Sequence, residues 1–203
     1  MRVGLISDTH LPSLLRQLDE LGPECARFLE TCDLILHGGD IVSRSVLDWC
    51  EQFAPVLAAR GNHDTLDDSR VAETQVLTLE GWRIGMVHDL RPVAATPADL
   101  AARHFEGRTL DVLIGGDTHV ERLDHADGVV IINSGSPNLP HHRETRLGTV
   151  GLLDLTPGRM HAEVLLVGHT EARRNPGTPR HVVIEGDRLV EASLDGRALD
   201  VSA

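Results

Sequence analysis

The 203-residue sequence has no tyrosine and contains only three phenylalanines and two tryptophans. Proteins that bind single-stranded nucleic acid stack bases on aromatic rings, and general nucleic-acid binders need a basic face. This chain has 19 basic residues against 31 acidic ones, which gives a formal net charge of -12. The composition therefore argues against general nucleic-acid binding.

Cysteine is also scarce, since the chain has only Cys25, Cys32 and Cys50. An odd number of cysteines excludes a complete disulfide framework, and none of the three lies in a paired metal-binding spacing such as Cys-x-x-Cys. No apolar run approaches the ~20 residues that a membrane-spanning helix requires, and no signal-peptide pattern follows Met1. We expect a cytoplasmic protein with free core thiols and no membrane association.

Short apolar runs recur along the chain, and each ends at a polar or turn-forming residue. Runs of this length that are rich in Val, Ile and Leu are typical of buried strands. The predicted strands are 2–6, 33–36, 56–59, 74–79, 84–87, 112–114 and 129–132. Helical patterns cover 11–29, with an interruption at Gly22-Pro23, and also 45–53 and 97–105.

The alternation of strands and helices in the first half predicts parallel strands joined by right-handed crossovers. We expect an α/β (α+β) fold, namely a four-layer α/β/β/α sandwich of two mixed sheets flanked by helices. A hairpin of 147–155 and 160–167 would close this domain, which we assign to residues 1–167. Residues 168–203 form a predicted C-terminal appendage, a loop followed by a hairpin around Gly186-Asp187. The appendage is either an edge hairpin or a contact in a homo-oligomer.

Polar side chains follow the predicted strands at the points where those strands end. Because ligands bind at the carboxyl ends of strands in open α/β sheets, these side chains can converge at one edge. Their residue types are those of metal ligands, and Gly-Asn-His-Asp is expected by chance in only about two such chains in a thousand. The segments are Asp8-Thr9-His10, His37-Gly38-Gly39-Asp40, Gly61-Asn62-His63-Asp64, His88 and Asp117-Thr118-His119.

The order of these motifs resembles that of the calcineurin-like metallophosphoesterase superfamily. Its pattern is Asp-x-His, Gly-Asp, Gly-Asn-His-Asp or -Glu, a lone His, and Gly-His-x-His. The sequence is most similar to the small bacterial and archaeal phosphodiesterases of that superfamily, which are related to the retromer scaffold subunit. The resemblance extends to about residue 167 and implies a metal-dependent hydrolase of a small phosphoester, with a diester favoured over a monoester.

The resemblance also implies a dinuclear site in which Asp40 bridges two divalent ions. Two such ions, about 3.5–4 Å apart, hold a hydroxide that attacks phosphorus in line. Oxygen and nitrogen ligands without a thiolate favour Mn, with Fe or Zn as alternatives. The implied ligands are Asp8, His10, Asp40 and His119 for one ion, and Asp40, Asn62, His88 and Asp117 for the other.

Three residues beside the implied ligands have separate predicted roles. His63, next to Asn62, would point at the phosphate and protonate the departing alkoxide as a general acid. Asp64 would orient or charge-stabilise the His63 imidazole. His37 would be a partner that fixes the bridging Asp40 carboxylate.

Two positions depart from the family pattern. Asp117 stands where the first His of Gly-His-x-His is usual, and Asp89 follows His88 where Gly is usual. A carboxylate can bind a hard divalent ion, so we predict that Asp117 is a ligand, with a turn residue as the alternative. Asp tolerates the left-handed backbone conformation, so Asp89 is compatible with a turn.

Two places offer cations for a substrate phosphate, on weaker grounds. His142 and Arg143 lie on the loop that follows the Asn133 turn, and Arg60 lies beside Asn62. We predict that these three residues bind substrate, although Arg60 could instead pair with a nearby carboxylate.

Two functional classes remain open at this point. The first is a metal-dependent phosphodiesterase, and the second is a non-catalytic, metal-binding scaffold for protein interactions, as in the retromer relative. A scaffold has no need of a general acid, so His63 favours the enzyme. A protein phosphatase would call for a basic, extended substrate groove, which the acidic composition does not indicate.

Overall fold

The computed structural model describes residues 1–13 and 16–201 of the chain. Leu14 and Leu15, which belong to the first helical pattern in the sequence, lie outside the described residues. Three α-helices occur within those ranges: α1 (Gly22–Leu29), preceded by a 3-10 turn (Leu18–Leu21), α2 (Arg44–Cys50) and α3 (Pro97–His104). Among the described residues, no helix has the length and apolar character needed to cross a bilayer.

The strands form two sheets. In chain order the strands are β1 (Arg2–Ile6), β2 (Leu34–His37), β3 (Val56–Ala59), β4 (Val71–Ala72), β5 (Thr74–Leu79), β6 (Trp82–Val87), β7 (Val112–Gly115), β8 (Glu121–Ala126), β9 (Val129–Ser134), β10 (Thr149–Thr156), β11 (Arg159–Leu166), β12 (Arg180–Glu185), β13 (Arg188–Leu194) and β14 (Arg197–Ala198). The larger sheet has the order β14-β13-β12-β11-β10-β1-β2-β3-β4, and the smaller has the order β5-β6-β7-β9-β8.

Both sheets are mixed, as predicted. Strands β1 to β4 run parallel in the larger sheet, while β10 pairs antiparallel with β1 and continues into the antiparallel β11–β14. In the smaller sheet β6, β7 and β9 are parallel, with antiparallel β5 and β8 at the edges. The parallel strands of each sheet bring their carboxyl ends to a common edge.

The main core lies between the two sheets. Because side chains alternate across a strand, Val3 and Leu5 of β1 point to this layer, as do Val112 and Ile114 of β7. Ile6, on the opposite face of β1, packs instead with the helices α1 and α2 through residues that form a second cluster. A third cluster packs α3 on the outer face of the smaller sheet. The four-layer α/β/β/α sandwich is therefore confirmed.

The helix boundaries correct one prediction. Gly22-Pro23 does not interrupt a helix but begins α1, where Pro occupies one of the first helical positions and its missing N–H costs nothing. At α2, the Ser43 side chain accepts a hydrogen bond from the Ser45 N–H, which caps the helix. At α3, Thr96 and Asp99 form a reciprocal capping box.

The C-terminal strands join the larger sheet. Strand β12 pairs antiparallel with β11, and β12 and β13 are connected by the two-residue turn at Gly186-Asp187, as expected from the sequence. Val182, Ile184 and Ala192 pack in the same cluster as Val3. The assignment of 168–203 as an appendage and its role in an oligomer stay predictions.

Replacement of Ile184 by Ala should lower the free energy of unfolding by about 2–5 kcal/mol, because the side chain is only 2% exposed and sits in the inter-sheet core. The control is Val190→Ala on β13, where the side chain is 38% exposed and the expected loss is below about 0.5 kcal/mol. Urea unfolding monitored by circular dichroism measures both. Equal losses would show that β12 does not share the core.

Candidate metal centre

The predicted ligand residues lie together at the carboxyl ends of five parallel strands. These strands, β1, β2, β3, β6 and β7, end at Ile6, His37, Ala59, Val87 and Gly115. Backbone hydrogen bonds join the loops that follow: the Asp8 N–H donates to the Gly39 carbonyl at 2.9 Å, and the His10 N–H donates to the Asp40 carbonyl at 3.0 Å. The loops therefore hold one another in place before any ligand binds.

The ligand loops contain strained backbone conformations. Positive φ angles between 48° and 68° occur at five of the predicted ligands: Asp8, His10, Asp40, Asp117 and His119. Each left-handed non-glycine residue costs about 1–3 kcal/mol and persists only where the surroundings impose it. Such clustering is typical of a site in which side-chain direction matters more than stability.

The first group of ligands comprises Asp8, His10 and His119. The His119 Nε2 lies 3.6 Å from Asp8 Oδ1, and the Nε2 atoms of His10 and His119 are 3.2 Å apart. Each of the three side chains offers one ligand atom. These atoms all lie within 4.8 Å of one another, close enough to surround a single metal ion. Asp8 is fully buried, and its Oδ2 has no hydrogen-bond partner among the residues that the structure describes.

The second group is centred on His88. Its Nε2 lies 3.1 Å from Asn62 Oδ1, 3.5 Å from Asp40 Oδ1 and 3.8 Å from an oxygen of Asp117. Asp8, Asp40 and His88 also form a set with metal-binding geometry. Four residues predicted for one ion are thus adjacent.

Asp40 lies between the two groups. Its Oδ2 is 3.4 Å from the Nε2 of His10, while its Oδ1 faces His88 and accepts a hydrogen bond from the His63 backbone N–H at 2.9 Å. Burial alone would raise the pKa of Asp40, but the His88 side chain and the His63 N–H outweigh burial and lower that pKa to about 2. Asp40 is therefore an ionised carboxylate with one oxygen toward each group, as a bridging ligand requires.

Burial and neighbouring charges also shift the pKa values of Asp8 and His88. Burial raises the pKa of Asp8 to about 6, against the attraction of His119 and His88. Burial would lower the pKa of His88, but the Asp40 and Asp8 carboxylates raise it to about 9. Without a bound cation, a proton on His88 is the main local compensation for the carboxylates.

The donors fit a divalent cation. The Nδ1 of His88 donates to the Gly38 carbonyl at 2.7 Å, and the Nδ1 of His119 donates to the Leu139 carbonyl at 2.5 Å. Because a carbonyl only accepts, Nδ1 carries a proton in both rings, so Nε2 is the nitrogen that each ring would offer to a metal ion. These Nε2 atoms and the unpartnered Oδ2 of Asp8 converge where a cation would take the place of the proton on His88. The arrangement is suited to transition metals bound by oxygen and nitrogen.

His37 is completely buried beneath the site. Its Nδ1 accepts from the Gly39 N–H at 3.2 Å, which leaves Nε2 to donate to the Thr9 hydroxyl at 3.2 Å. Burial and the nearby His88 lower the pKa of His37 to about 3, so it remains neutral. The side chain therefore links the loops of Asp8 and Asp40 through Thr9 and Gly39, rather than contacting the Asp40 carboxylate itself.

The predicted role of Asp64 needs correction. One carboxylate oxygen accepts from the N–H groups of Ile41 and Val42, both at 2.7 Å, and the other accepts from the Gly61 N–H at 2.9 Å. Both oxygens are thus engaged by the backbone, and no hydrogen bond joins Asp64 to His63 in the described part of the chain. Asp64 fastens the Asn62 loop to the Asp40 loop.

His63 lies at the mouth of the site. Its side chain is 59% exposed, with Nε2 3.9 Å from Asp40 Oδ2 and its ring centroid 5.2 Å from that of His10. The imidazole is therefore accessible to solvent while lying beside the Asp40 carboxylate.

Arg91 is a site residue that the sequence patterns do not identify. Its Nη2 lies 2.9 Å from both Asp89 Oδ2 and Asp117 Oδ2. Asp117 thereby keeps its Oδ1 toward His88 while its other oxygen is tethered. A lone arginine outside every motif carries no sequence signal, because only the fold brings it against Asp117.

The three residues predicted on weaker grounds to bind substrate have different surroundings. Arg60 pairs with Glu73 at 2.8 Å and donates to the Leu66 carbonyl, so its predicted substrate role is replaced by the alternative, a structural ion pair. The Nδ1 of His142 accepts from the Glu144 N–H, which keeps that ring within its own loop. Arg143 lines a cavity next to His119.

Buried polar residues at the end of β9 and in the loop after it support the ligand loops. The Ser136 hydroxyl donates to the Asp8 carbonyl, the Asn138 amide donates to the Thr9 carbonyl, and the Asn133 amide donates to the Gly116 carbonyl. The sequence identifies the Asn133 turn only through its family resemblance, since Ser and Asn occur equally in ordinary loops.

The fold and the gathered ligands define a metal-binding α/β/β/α domain. Residues 1–158 match a family model described as the calcineurin-like phosphoesterase superfamily domain, and the chain belongs to this superfamily. A probable metallophosphoesterase from Methanothermobacter thermautotrophicus is 30% identical over 171 residues, which cover 83% of this chain and 94% of that protein. A phosphodiesterase from Methanocaldococcus jannaschii is 23% identical over 181 residues, which cover 82% of this chain and 99% of that protein.

Solved structures show the same fold. Vps29 from Chaetomium thermophilum aligns with a TM-score of 0.73 at 20% identity, covering 92% of this chain and 99% of that one. Vps29 from Entamoeba histolytica, solved with Zn²⁺, aligns with a TM-score of 0.68 at 18% identity, covering 91% and 99%. At these identities the likeness concerns the fold alone.

Replacement of Asp8 by Asn should stabilise the metal-free protein at pH 8 while weakening Mn²⁺ binding. The folded-state pKa of Asp8, about 6, exceeds the ordinary value of 3.8, so its ionisation costs stability progressively as the pH rises through this interval. The variant should gain about 1–3 kcal/mol at pH 8 and almost nothing at pH 3.5. Urea unfolding in a chelator, together with Mn²⁺ calorimetry, measures both effects.

The control for this prediction is Asp67→Asn, an exposed carboxylate outside the predicted ligands that should change neither quantity. A metal-free Asp8→Asn protein less stable than wild type at pH 8 would contradict the assignment of Asp8 as a destabilising ligand.

Proposed function

We propose that the chain is a phosphodiesterase that uses two divalent ions bridged by Asp40, with His63 as the general acid. The observation that carries the proposal is the position of His63 beside the Asp40 carboxylate, among side chains that could hold a metal ion. Asp8, His10 and His119 would hold one ion, and Asn62, His88 and Asp117 the other, with Asp40 shared. Mn is the metal that we expect, and Fe or Zn would suit the same donors.

Bound divalent ions would supply Lewis acidity that polarises the phosphate and makes the attacking water more acidic. The chain's residues fix the geometry of this chemistry. His88 and His119 are oriented by carbonyl acceptors, and Asp40 keeps a negative charge between the two groups. Preorganised ligands of this kind avoid reorganisation at the moment of reaction.

His63 would hold the proton that the leaving group receives. Its imidazole is exposed to solvent at the mouth of the site, while the hydrogen bond from its backbone N–H to Asp40 holds the residue beside that carboxylate. Proton transfer from Nε2 to the departing oxygen would neutralise an alkoxide that is otherwise a poor leaving group.

The preference for a diester rests on similarity. The relative from Methanocaldococcus jannaschii is named a phosphodiesterase, and its alignment with this chain covers 99% of that protein. The competing function is a non-catalytic metal-binding scaffold, and this alternative is suggested by the similarity in fold to Vps29. His63 favours the enzyme, because binding a partner requires no proton donor.

The proposal predicts that the effect of His63→Ala depends on the leaving group. Metal-stripped protein refilled with Mn²⁺ would be assayed on p-nitrophenyl and phenyl esters of the same methyl phosphate. Loss of the general acid should reduce kcat by about 100-fold or more for the phenyl ester. It should matter far less for p-nitrophenolate, which leaves readily as an anion.

The control variant is His161→Ala, a histidine on β11 that pairs with Glu163 away from the site and should leave both rates unchanged. Equal effects of His63→Ala on the two esters would exclude the general-acid role. Absence of Mn²⁺-dependent turnover on diesters and monoesters would favour the scaffold.

A further inference from the structure

A cavity of about 320 Å³ adjoins the candidate metal centre. Its polar lining comes from three segments of the chain, namely Arg16, His119, and the loop that carries His141, Arg143 and Thr145. The His141 N–H donates to the His119 carbonyl at 3.2 Å, which ties the lining loop to the residue that also faces Asp8. His119 therefore belongs to both the cavity and the metal cluster.

The two arginines that line the cavity have no acidic partner within the described residues. The Nη1 of Arg16 is buried and makes no hydrogen bond there. The acid next to Arg143, Glu144, instead faces Arg173 at 4.0 Å. Two guanidinium groups without an acidic partner therefore line one cavity, and a guanidinium binds phosphate and carboxylate oxygens through charge-assisted hydrogen bonds, so the cavity is suited to an anion.

Arg146 lies on the same loop as Arg143 but forms an ion pair, so it serves as a comparison. It has almost the same φ angle as Arg143, 64° against 65°, but it pairs with Glu20 at 3.2 Å. Glu20 lies only four residues after Arg16. The loop and its facing segment thus neutralise one arginine and leave two cations facing the cavity.

The charge of the whole chain bears on these two unpaired arginines. With a formal net charge of -12, the surface offers abundant carboxylates, and ion pairs engage most of the arginines described. Long-range attraction of an anion to such a protein is weak, so a local cluster of unpaired cations is needed to hold one. Arg16 and Arg143 supply that cluster beside His119.

We propose that this cavity binds a second anionic group of the substrate, a phosphate or carboxylate carried on the ester arm that is retained or released next to His119. The substrate class is then a phosphodiester with a further negative charge, rather than one with neutral arms. The effect of the cavity on catalysis rests on the proposed function. Binding of an anion in the cavity is independent of that function.

The catalytic test compares three Mn²⁺-dependent substrates that share a p-nitrophenyl leaving group. Their other arm is ethyl, 2-phosphonoethyl or the cationic choline group. The phosphonoethyl ester should show kcat/KM about tenfold or more above the ethyl ester, and the choline ester should show a lower value. Arg16→Gln and Arg143→Gln should each abolish this preference. The matched control, Arg146→Gln, should retain it.

The binding test uses chelated, metal-free protein and inorganic pyrophosphate as the probe, measured by calorimetry at low ionic strength. Wild type and Arg146→Gln should bind it, and Arg16→Gln and Arg143→Gln should weaken binding by about tenfold each. Circular dichroism confirms that each variant is folded. Pyrophosphate binding without turnover of any ester would support the anion site while rejecting the phosphodiesterase.

Two results would overturn the anion site. One is an equal loss of pyrophosphate binding in Arg146→Gln and Arg143→Gln, which would reflect bulk charge alone. The other is an absence of pyrophosphate binding together with equal kcat/KM for the ethyl and phosphonoethyl esters.

Discussion

The contacts of the Asp40 carboxylate organise the whole edge of the sandwich. One oxygen faces His10, and the other faces His88 and accepts the His63 N–H. Gly61 must be a glycine because a Cβ there would lie 2.1 Å from Asp40 Oδ1. The carboxylate thus determines how closely the Asn62 loop approaches, and therefore where the two ligand groups and His63 stand relative to each other.

Several features of this edge destabilise the folded chain, and the layers beneath it compensate. Left-handed ligands, the buried Asp8 and the crowded imidazoles all raise the free energy of the folded chain. A continuous core between the sheets and the backbone hydrogen bonds accepted by Asp64 hold the loops despite this cost. A bound cation would relieve much of it, since the donors would then have a common partner.

The sequence predicts the sandwich and the clustering of ligands well, because apolar runs followed by Asp and His report directly on buried strands and their carboxyl ends. It fails where three-dimensional contacts decide. Polar alternation hides β8, at Glu121–Ala126, from an apolar-run search. Asp64 looks like a partner for its neighbour His63, yet backbone N–H groups distant in sequence occupy it. The roles of Arg91 and Arg16 cannot be predicted from the sequence, because they depend on residues that only the fold brings near them.

The central claim is that Asp40 bridges two divalent ions. Crystals of the protein soaked in Mn²⁺, with diffraction data collected at the manganese edge, test it directly. Two anomalous peaks about 3.5–4 Å apart, one on each side of the Asp40 carboxylate, are the predicted result. A single peak, or peaks that do not contact Asp40, would contradict it.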